Sequence, residues 1–395
     1  MNTYNRPPVV FTRGKGCYIY DQGNRRYLDF SAGIAVNALG HSDDEVSQVL
    51  AEQSSQLVHV SNLYHHPWGI ALAKALVETT RATGAFEASK VFLANSGTEA
   101  NEGALKFARK WGKLVSNNEN KYEIVSCLNG FHGRSMGALT CTPNPKYQKP
   151  FLPLVPGVKH ITYNDIESID GAITENTCGV ILETVQGEGG IFAAKEEFLR
   201  ALRKRCDEVG ALLIFDEIQC GLGRTGKLWA FQNFPSDIVP DILTMAKPLA
   251  NGFPIGAILM NERVAEQIKI GEHGTTFGGN PLGCRVALSV FNRISDPAFL
   301  AHVNEVGDYL KQGLKTITEG NHLVKDVRGL GLIVGVEFTV DPVPLVKMAR
   351  ERGLLIITAS NNTVRLVPPL IITKEQIDEG LAILKKCFEE LKSQA

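Results

Sequence analysis

Between about Ser61 and Asn280, short apolar runs alternate with segments whose apolar residues recur at helical spacing. That alternation predicts an open, largely parallel sheet with helices on both faces. The candidate strands are Lys90–Ala94, Tyr122–Cys127, Gly179–Glu183, Ala211–Asp216, Ile242–Met245 and Ile255–Met260. Earlier in the chain, Gly16–Asp21 and Arg25–Phe30 alternate in polarity around the turn Gln22-Gly23-Asn24 and predict a hairpin. Ser42 with Glu45 predicts the start of a helix. Later, apolar periodicity predicts helices from Gly283 through Ser295 and from Pro297 to Thr318, with strands at Val324–Val327, Ile333–Phe338 and Val364–Val367. The tail reads as a helix opened by a capping box of Thr373 and Gln376, with Ile377, Leu381, Leu384, Phe388 and Leu391 on one face.

The pattern divides the chain into a large α/β domain over 61–283 and a smaller α+β domain built from both ends, 1–60 and 284–395. A length of 395 residues suits two cores. With 41 basic against 42 acidic residues and no long block of like charge, the chain lacks the electrostatic footprint of a nucleic-acid or membrane-surface binder. A small molecule is the expected partner. The eight cysteines show neither a C-x-x-C pair nor zinc-finger spacing, so they read as reduced and mostly buried, and no metal site is expected. Uncharged apolar stretches such as Gly329–Val336 fall far below the roughly 18 residues of a spanning helix, and no signal-peptide pattern opens the sequence. The expectation is a soluble intracellular protein. Arg6, Arg13 and Lys15 without an early acid hint at an organelle address in a stretch that is short and Pro-containing. The mature protein is therefore expected in the mitochondrial matrix or the cytoplasm.

The chemistry concentrates at strand ends. Asp216 closes the apolar run Ala211–Phe215, where a carboxylate needs a cation or a donor. Lys247 sits in an otherwise apolar, Gly-containing stretch, where desolvation lowers an amine's pKa and favours its nucleophilic form. Together they suggest pyridoxal phosphate. That cofactor needs an amine to hold its aldehyde as a Schiff base and a carboxylate to keep its ring nitrogen protonated, so that the ring takes up carbanion electrons. Taken singly, Asp216 also reads as a helix cap or ion-pair member, and Lys247 as a snorkelling surface lysine.

Asn95-Ser-Gly-Thr-Glu99 follows a strand and opens a helix, so Ser96, Gly97 and Thr98 form a candidate phosphate cradle as well as an ordinary capped turn. Phe131 and Arg134 stand at a strand's carboxyl end, suited to stacking on a ring and to binding a carboxylate; a core Phe and a solvated Arg are the plainer alternatives. Ile218 could cover the ring's other face, and Gln219 reach its phenolic oxygen. Thr275 and Thr276, in the Gly-rich loop Gly274–Pro281, offer further hydroxyls to a phosphate. Glu188 and Arg365 are a candidate pair whose ion pair opens or persists with the charge of the substrate.

Taken together, these residues resemble the class III (subgroup II) pyridoxal-phosphate aminotransferases of fold type I. The likeness runs from Tyr27-Leu-Asp-Phe-Ser-Ala-Gly-Ile-Ala-Val-Asn-Ala-Leu-Gly-His41 through Ser96-Gly-Thr-Glu-Ala-Asn-Glu102 to Val364-Arg-Leu-Val-Pro-Pro-Leu370. The resemblance implies that Lys247 is the Schiff-base lysine, Asp216 the ring-nitrogen partner, Phe131 the stacking aromatic, and Gly97 with Thr98 part of the phosphate cup. It also implies a homodimer with shared sites, in which Thr276 reaches the neighbouring subunit's phosphate. Arg134 and Thr275 match donor-contacting positions, and Arg365 the arginine that holds an α-carboxylate. The implied activity is ping-pong transamination from N2-acetyl-L-ornithine to 2-oxoglutarate, yielding L-glutamate, in arginine biosynthesis. Ornithine, 4-aminobutyrate or succinyl-diaminopimelate transamination, and a non-catalytic homologue, are the alternatives. The chain departs from the family pattern at Ser42-Asp-Asp44, at Thr184, and in the Pro-Leu-Ala-Asn-Gly run after Lys247. His132, where ornithine aminotransferases more often carry Trp, favours the acetylated donor.

Overall fold

The apolar runs meet in one seven-stranded sheet, in the order Ala88–Ala94, Gly256–Asn261, Ile242–Met245, Leu212–Asp216, Thr177–Leu182, Glu123–Cys127 and Val158–Ile161. The computed structural model describes residues 1, 3–116 and 118–394. Gly256–Asn261 runs antiparallel to both of its neighbours, and the other pairings are parallel. Every residue of Thr177–Leu182, Leu212–Asp216 and Ile242–Met245 is buried, as strands covered on both faces require. The edge strand Val158–Ile161 had no counterpart among the expected strands. Lys159 and His160 break its apolar run, and an edge tolerates such residues; Lys159 pairs with Glu123 at 2.7 Å.

Parallel register brings the strand ends together. Asp216 lies opposite Thr244, and Phe215 opposite Leu182, so Asp216, Glu183 and Lys247 emerge at one edge of the sheet. Open α/β sheets bind ligands at this carboxyl edge.

Two four-stranded sheets flank this core. One joins Phe11–Lys15, Tyr18–Asp21 and Arg26–Asp29 to the distant Leu354–Leu355, and the other holds Val324–Leu330, Ile333–Phe338, Thr363–Leu366 and Ile357–Ala359. The expected hairpin forms, with Tyr18 opposite Leu28, and gains Phe11–Lys15 as an unforeseen third strand. A short ribbon of Val185–Gln186 and Phe192–Ala193 carries the loop with Glu188.

The early helix, Asp44–Ser54, starts one residue later than expected. Asp43 is its N-cap, accepting from the Val46 amide at 3.0 Å and pairing with Arg293 at 2.7 Å, whereas Ser42 sits at φ 48°. The tail helix Lys374–Gln394 opens on the expected box: the Thr373 amide donates to Gln376 Oε1 at 3.1 Å, and the Gln376 amide to Thr373 Oγ1 at 3.3 Å. Its five predicted apolar residues are buried, and Leu381 lies over Gly313, where a Cβ would be 2.3 Å from Leu381 Cδ1. All eight cysteines are free and buried. Among the described residues, no helix is long and apolar enough to cross a membrane.

Thr373→Ala removes the hydroxyl half of that box and is expected to lower stability by about 1 kcal/mol, while Thr373→Ser leaves it nearly unchanged. Urea unfolding of both variants checks this; equal midpoints for Thr373→Ala and the parent protein would contradict it.

Candidate active site

A cavity of about 270 Å³ opens at the shared strand edge and is lined by Ser96, Gly97, Thr98, Phe131, His132, Gly133, Arg134, Glu183, Asp216, Ile218, Gln219 and Lys247. Asp216 is 1 % exposed. Its Oδ2 accepts from Asn101 Nδ2 at 2.8 Å and lies 2.7 Å from His132 Nδ1, and its Oδ1 accepts from the Ile218 amide at 3.0 Å. Asn101 is held in turn by Thr244, whose hydroxyl donates to Asn101 Oδ1 at 2.8 Å, and it also donates to the His132 carbonyl at 2.7 Å. An ionised Asp216 makes His132 Nδ1 the donor, and His132 Nε2 then has no partner among the described residues. Asp216 thus meets a histidine and an amide rather than a Lys or Arg, and it still faces the cavity.

His132 and Asn101 were not foreseen in this role. The available signal was Asn101 itself, a polar residue on the buried stripe of Gly97–Ser116 that also carries Ala104, Leu105 and Ala108. Glu183, expected only as the last residue of a strand, is buried beside them. Its oxygens accept from the Phe131 and Gly187 amides, both at 3.0 Å. Burial, with the charge of Asp216 nearby, pushes its carboxyl up to about 7.

Lys247 begins the short turn Lys247–Ala250 directly after Ile242–Met245. It is half-buried, lines the cavity, and has no hydrogen bond or ion pair among the described residues. Burial, reinforced by the Arg365 cation, brings its amine down to about 8. The amine thus faces the cavity instead of snorkelling to a charged or solvated partner.

The strand Ala88–Ala94 turns into the helix Gly97–Ser116 at the cavity wall, so the helix's first amides and positive dipole end are available to an anion. Gly97 has no room for a side chain, since a Cβ would lie 2.8 Å from both Ile218 Cδ1 and Cγ2. Gly133, at φ 136°, brings its backbone against Thr98: a Cβ there would lie 2.4 Å from Thr98 Oγ1. Thr98 Oγ1 is 2.6 Å from Ser135 Oγ, which adds a hydroxyl that the reading of the sequence had missed. Ser96 Oγ accepts from the Glu99 amide at 3.3 Å and so serves the capped turn as well.

On the far side, Arg365 Nη2 meets Glu188 Oε2 at 3.0 Å and Arg365 Nη1 donates to Gln219 Oε1 at 3.0 Å, so the expected Glu188–Arg365 pair is formed. Tyr147, also unforeseen, donates to Glu188 Oε1 at 3.4 Å and carries the Arg134 guanidinium 3.6 Å above its ring. Thr275 and Thr276 stand outside this cavity: Thr275 Oγ1 accepts from Asn95 Nδ2 at 2.9 Å, and Thr276 is exposed.

The donor set fits pyridoxal phosphate. An unpartnered amine and a buried, donor-held carboxylate face one cavity, Phe131 and Ile218 supply apolar surfaces, and a helix start cleared of side chains by Gly97 suits a phosphate.

Comparison with known proteins agrees. The family described as Aminotransferase class-III matches residues 1–388. A curated relative, the mitochondrial acetylornithine aminotransferase of Neurospora crassa, is 55 % identical over 98 % of this chain and 85 % of its own length. Among solved structures, an ornithine aminotransferase of Toxoplasma gondii with pyridoxal phosphate at partial occupancy superposes with TM-score 0.92 at 31 % identity, covering 99 % of this chain and 93 % of that one. The N-acetylornithine aminotransferase of Stenotrophomonas maltophilia superposes with TM-score 0.85 at 35 % identity, covering 99 % and 98 %. The chain belongs to the class-III aminotransferases, a family of pyridoxal-phosphate enzymes.

Proposed function

We propose that this protein transfers the 5-amino group of N2-acetyl-L-ornithine to 2-oxoglutarate, giving N-acetyl-L-glutamate 5-semialdehyde and L-glutamate, a step of arginine biosynthesis. The observation that carries the reading is the unequal state of two guanidiniums, Arg134 in the cavity wall and Arg365 behind the wall residue Gln219. Arg365 is latched by Glu188 at 3.0 Å, whereas Arg134 has no anionic partner among the described residues.

The two substrates differ in just this respect. The reacting end of the donor bears no carboxylate, so Glu188 stays on Arg365 while the donor's distant carboxylate meets Arg134. 2-Oxoglutarate carries a carboxylate beside its reacting carbon, which replaces Glu188 on Arg365, and its far carboxylate takes the place on Arg134. Breaking a buried ion pair and leaving one charge unmatched costs about 3–5 kcal/mol, so only a ligand that brings its own carboxylate opens the latch. Unacetylated ornithine would bring an ammonium toward the cationic Arg134, and acetylation removes that charge.

Pyridoxal phosphate, when bound, supplies an aldehyde that captures a primary amine and a ring that takes up the electron pair left by a departing proton. Lys247 would hold the aldehyde through its amine, and that amine, when free, would carry the proton leaving the donor's carbon. Asp216, fixed by Asn101 and His132, would hold the proton on the ring nitrogen. Phe131 and Ile218 would cover the ring, Gln219 would serve its phenolic oxygen, and Ser96, Gly97 and Thr98 would receive the phosphate. Thr276 and the neighbouring Thr275 serve the second site of a homodimer, a role supported by the exposure of Thr276 and Phe277 on a Gly-rich loop. The mitochondrial matrix is the proposed compartment, supported by the mitochondrial enzymes among its relatives.

A spectrophotometric titration of the loaded enzyme with acetylornithine, ornithine and 4-aminobutyrate tests the donor. Acetylornithine is expected to convert the cofactor at least about tenfold more efficiently than either rival; equal or better conversion by one of them would transfer the assignment to it. Lys247→Ala is expected to abolish the borohydride-fixed cofactor adduct seen by mass spectrometry and to cut turnover at least about 100-fold. An adduct on another lysine refutes the role.

The acidity of Lys247 sets a pH dependence. Its amine is lowered to about 8, so below that pH the neutral, nucleophilic fraction falls about tenfold per unit, and above it the fraction levels off. Uptake of pyridoxal phosphate by apoenzyme, followed by absorbance, should rise with pH and reach a plateau just above 8. A rise continuing to about 10, where an ordinary lysine titrates, would contradict this.

A further inference from the structure

Arg134 is exposed, and among the described residues its guanidinium makes no hydrogen bond or ion pair. A long side chain in that condition ordinarily samples many rotamers and makes a poor receptor. Here its guanidinium carbon stands over the Tyr147 ring, 3.6 Å from its centre. The platform itself is fixed. Tyr147 belongs to the short helix Pro145–Gln148, which Asn144 caps by accepting from the Lys146 amide at 3.0 Å. The Gln148 amide ties that helix to the preceding one, donating to the Leu139, Thr140 and Thr142 carbonyls at 3.1, 3.2 and 3.0 Å. The Phe131 ring meets the Tyr147 ring edge-on at 6.3 Å, and the Tyr147 hydroxyl reaches Glu188. Tyr147 also lines a neighbouring cavity of about 230 Å³ that shares Phe131 with the first.

We propose that Tyr147 is a positioning residue for substrate specificity: its ring orients the Arg134 guanidinium at the cavity so that a substrate's distal carboxylate finds a receptor already in place. The proposal rests on the reading of Arg134 as that receptor. Tyr147 is not among the residues lining the cavity with Lys247 and Asp216, so it acts on binding and not on the proton transfer.

The test uses the loaded enzyme and two amino donors that differ by one carboxylate, N2-acetyl-L-ornithine and N-acetyl-1,4-diaminobutane. Tyr147→Leu is expected to raise the KM for acetylornithine roughly 3- to 30-fold with kcat within about twofold, and to leave the KM for the carboxylate-free donor unchanged. Tyr147→Phe keeps the ring and should restore the acetylornithine KM to within about twofold. An unaltered visible cofactor band shows that the site is intact. If Tyr147→Leu raises both KM values equally, or neither, the proposal is overturned. Arg134→Ala separates this from the underlying reading, because it should erase the preference for the carboxylate-bearing donor. If that preference survives, both assignments fall; if it is lost in Arg134→Ala but kept in Tyr147→Leu, only the role of Tyr147 falls.

Discussion

Everything at this site is arranged around a carboxylate with almost no access to water. An ionised Asp216 without donors would be strongly destabilising, and the Asn101 amide, the His132 ring and the Ile218 amide between them meet both of its oxygens. Those donors come from three separate parts of the chain, a helix, a loop and the turn after its own strand. The parallel register aligning Asp216 with Thr244 is what allows Thr244 to orient Asn101. A one-residue slip would turn Asp216 to the other face of the sheet and strand it among Leu and Ile side chains. The charge therefore specifies the register as much as the register positions the charge.

Around that anion the site gathers charges of both signs. Asp216 and Glu183 line the cavity with Lys247 and Arg134, the Glu188–Arg365 pair lies behind Gln219, and each shifted group responds to its neighbours: Glu183 is pushed up by burial and Asp216, Lys247 down by burial and Arg365. A neutral Glu183 and a neutral Lys247 are the forms that low polarity favours. The same burial that lowers the Lys247 amine also makes the Glu188–Arg365 pair costly to break. On the proposed reading, reactivity and substrate selection share that physical origin.

Much of this was legible in the chain. Fully buried strands must be apolar throughout, so the central strands and the polar residues ending them stood out, Asp216 and Lys247 above all. The tail helix announced itself through Thr373, Gln376 and a clean apolar stripe. What escaped notice was what only tertiary packing creates. Val158–Ile161 is an edge strand, and its Lys159 and His160 disguise it. Ser42 and Asp43 are both good caps by type, and the bidentate contact of Arg293 with Asp43, from a helix 250 residues away in sequence, accompanies the choice between them. Asn101 and His132 are ordinary residues in sequence, and their contacts with Asp216 and Thr244 span 84 to 143 positions.

The two arginines illustrate how one fold can answer opposite demands. Arg365 lies on a buried strand, Thr363–Leu366, where a guanidinium needs an internal anion whenever no substrate supplies one. Glu188 meets that need from a loop, and its side chain is 29 % exposed, so its carboxylate is already partly in water. Arg134 stands at the exposed rim, where hydration already satisfies the charge and no internal anion is required. Its problem is entropy rather than desolvation, and an aromatic face restrains it without neutralising it. On the proposed reading, a buried cation with a removable counter-ion and an exposed cation on an aromatic platform are two solutions to one task, recognition of a carboxylate. Their difference in burial would suit the first to a carboxylate beside the reacting carbon and the second to one held at a distance.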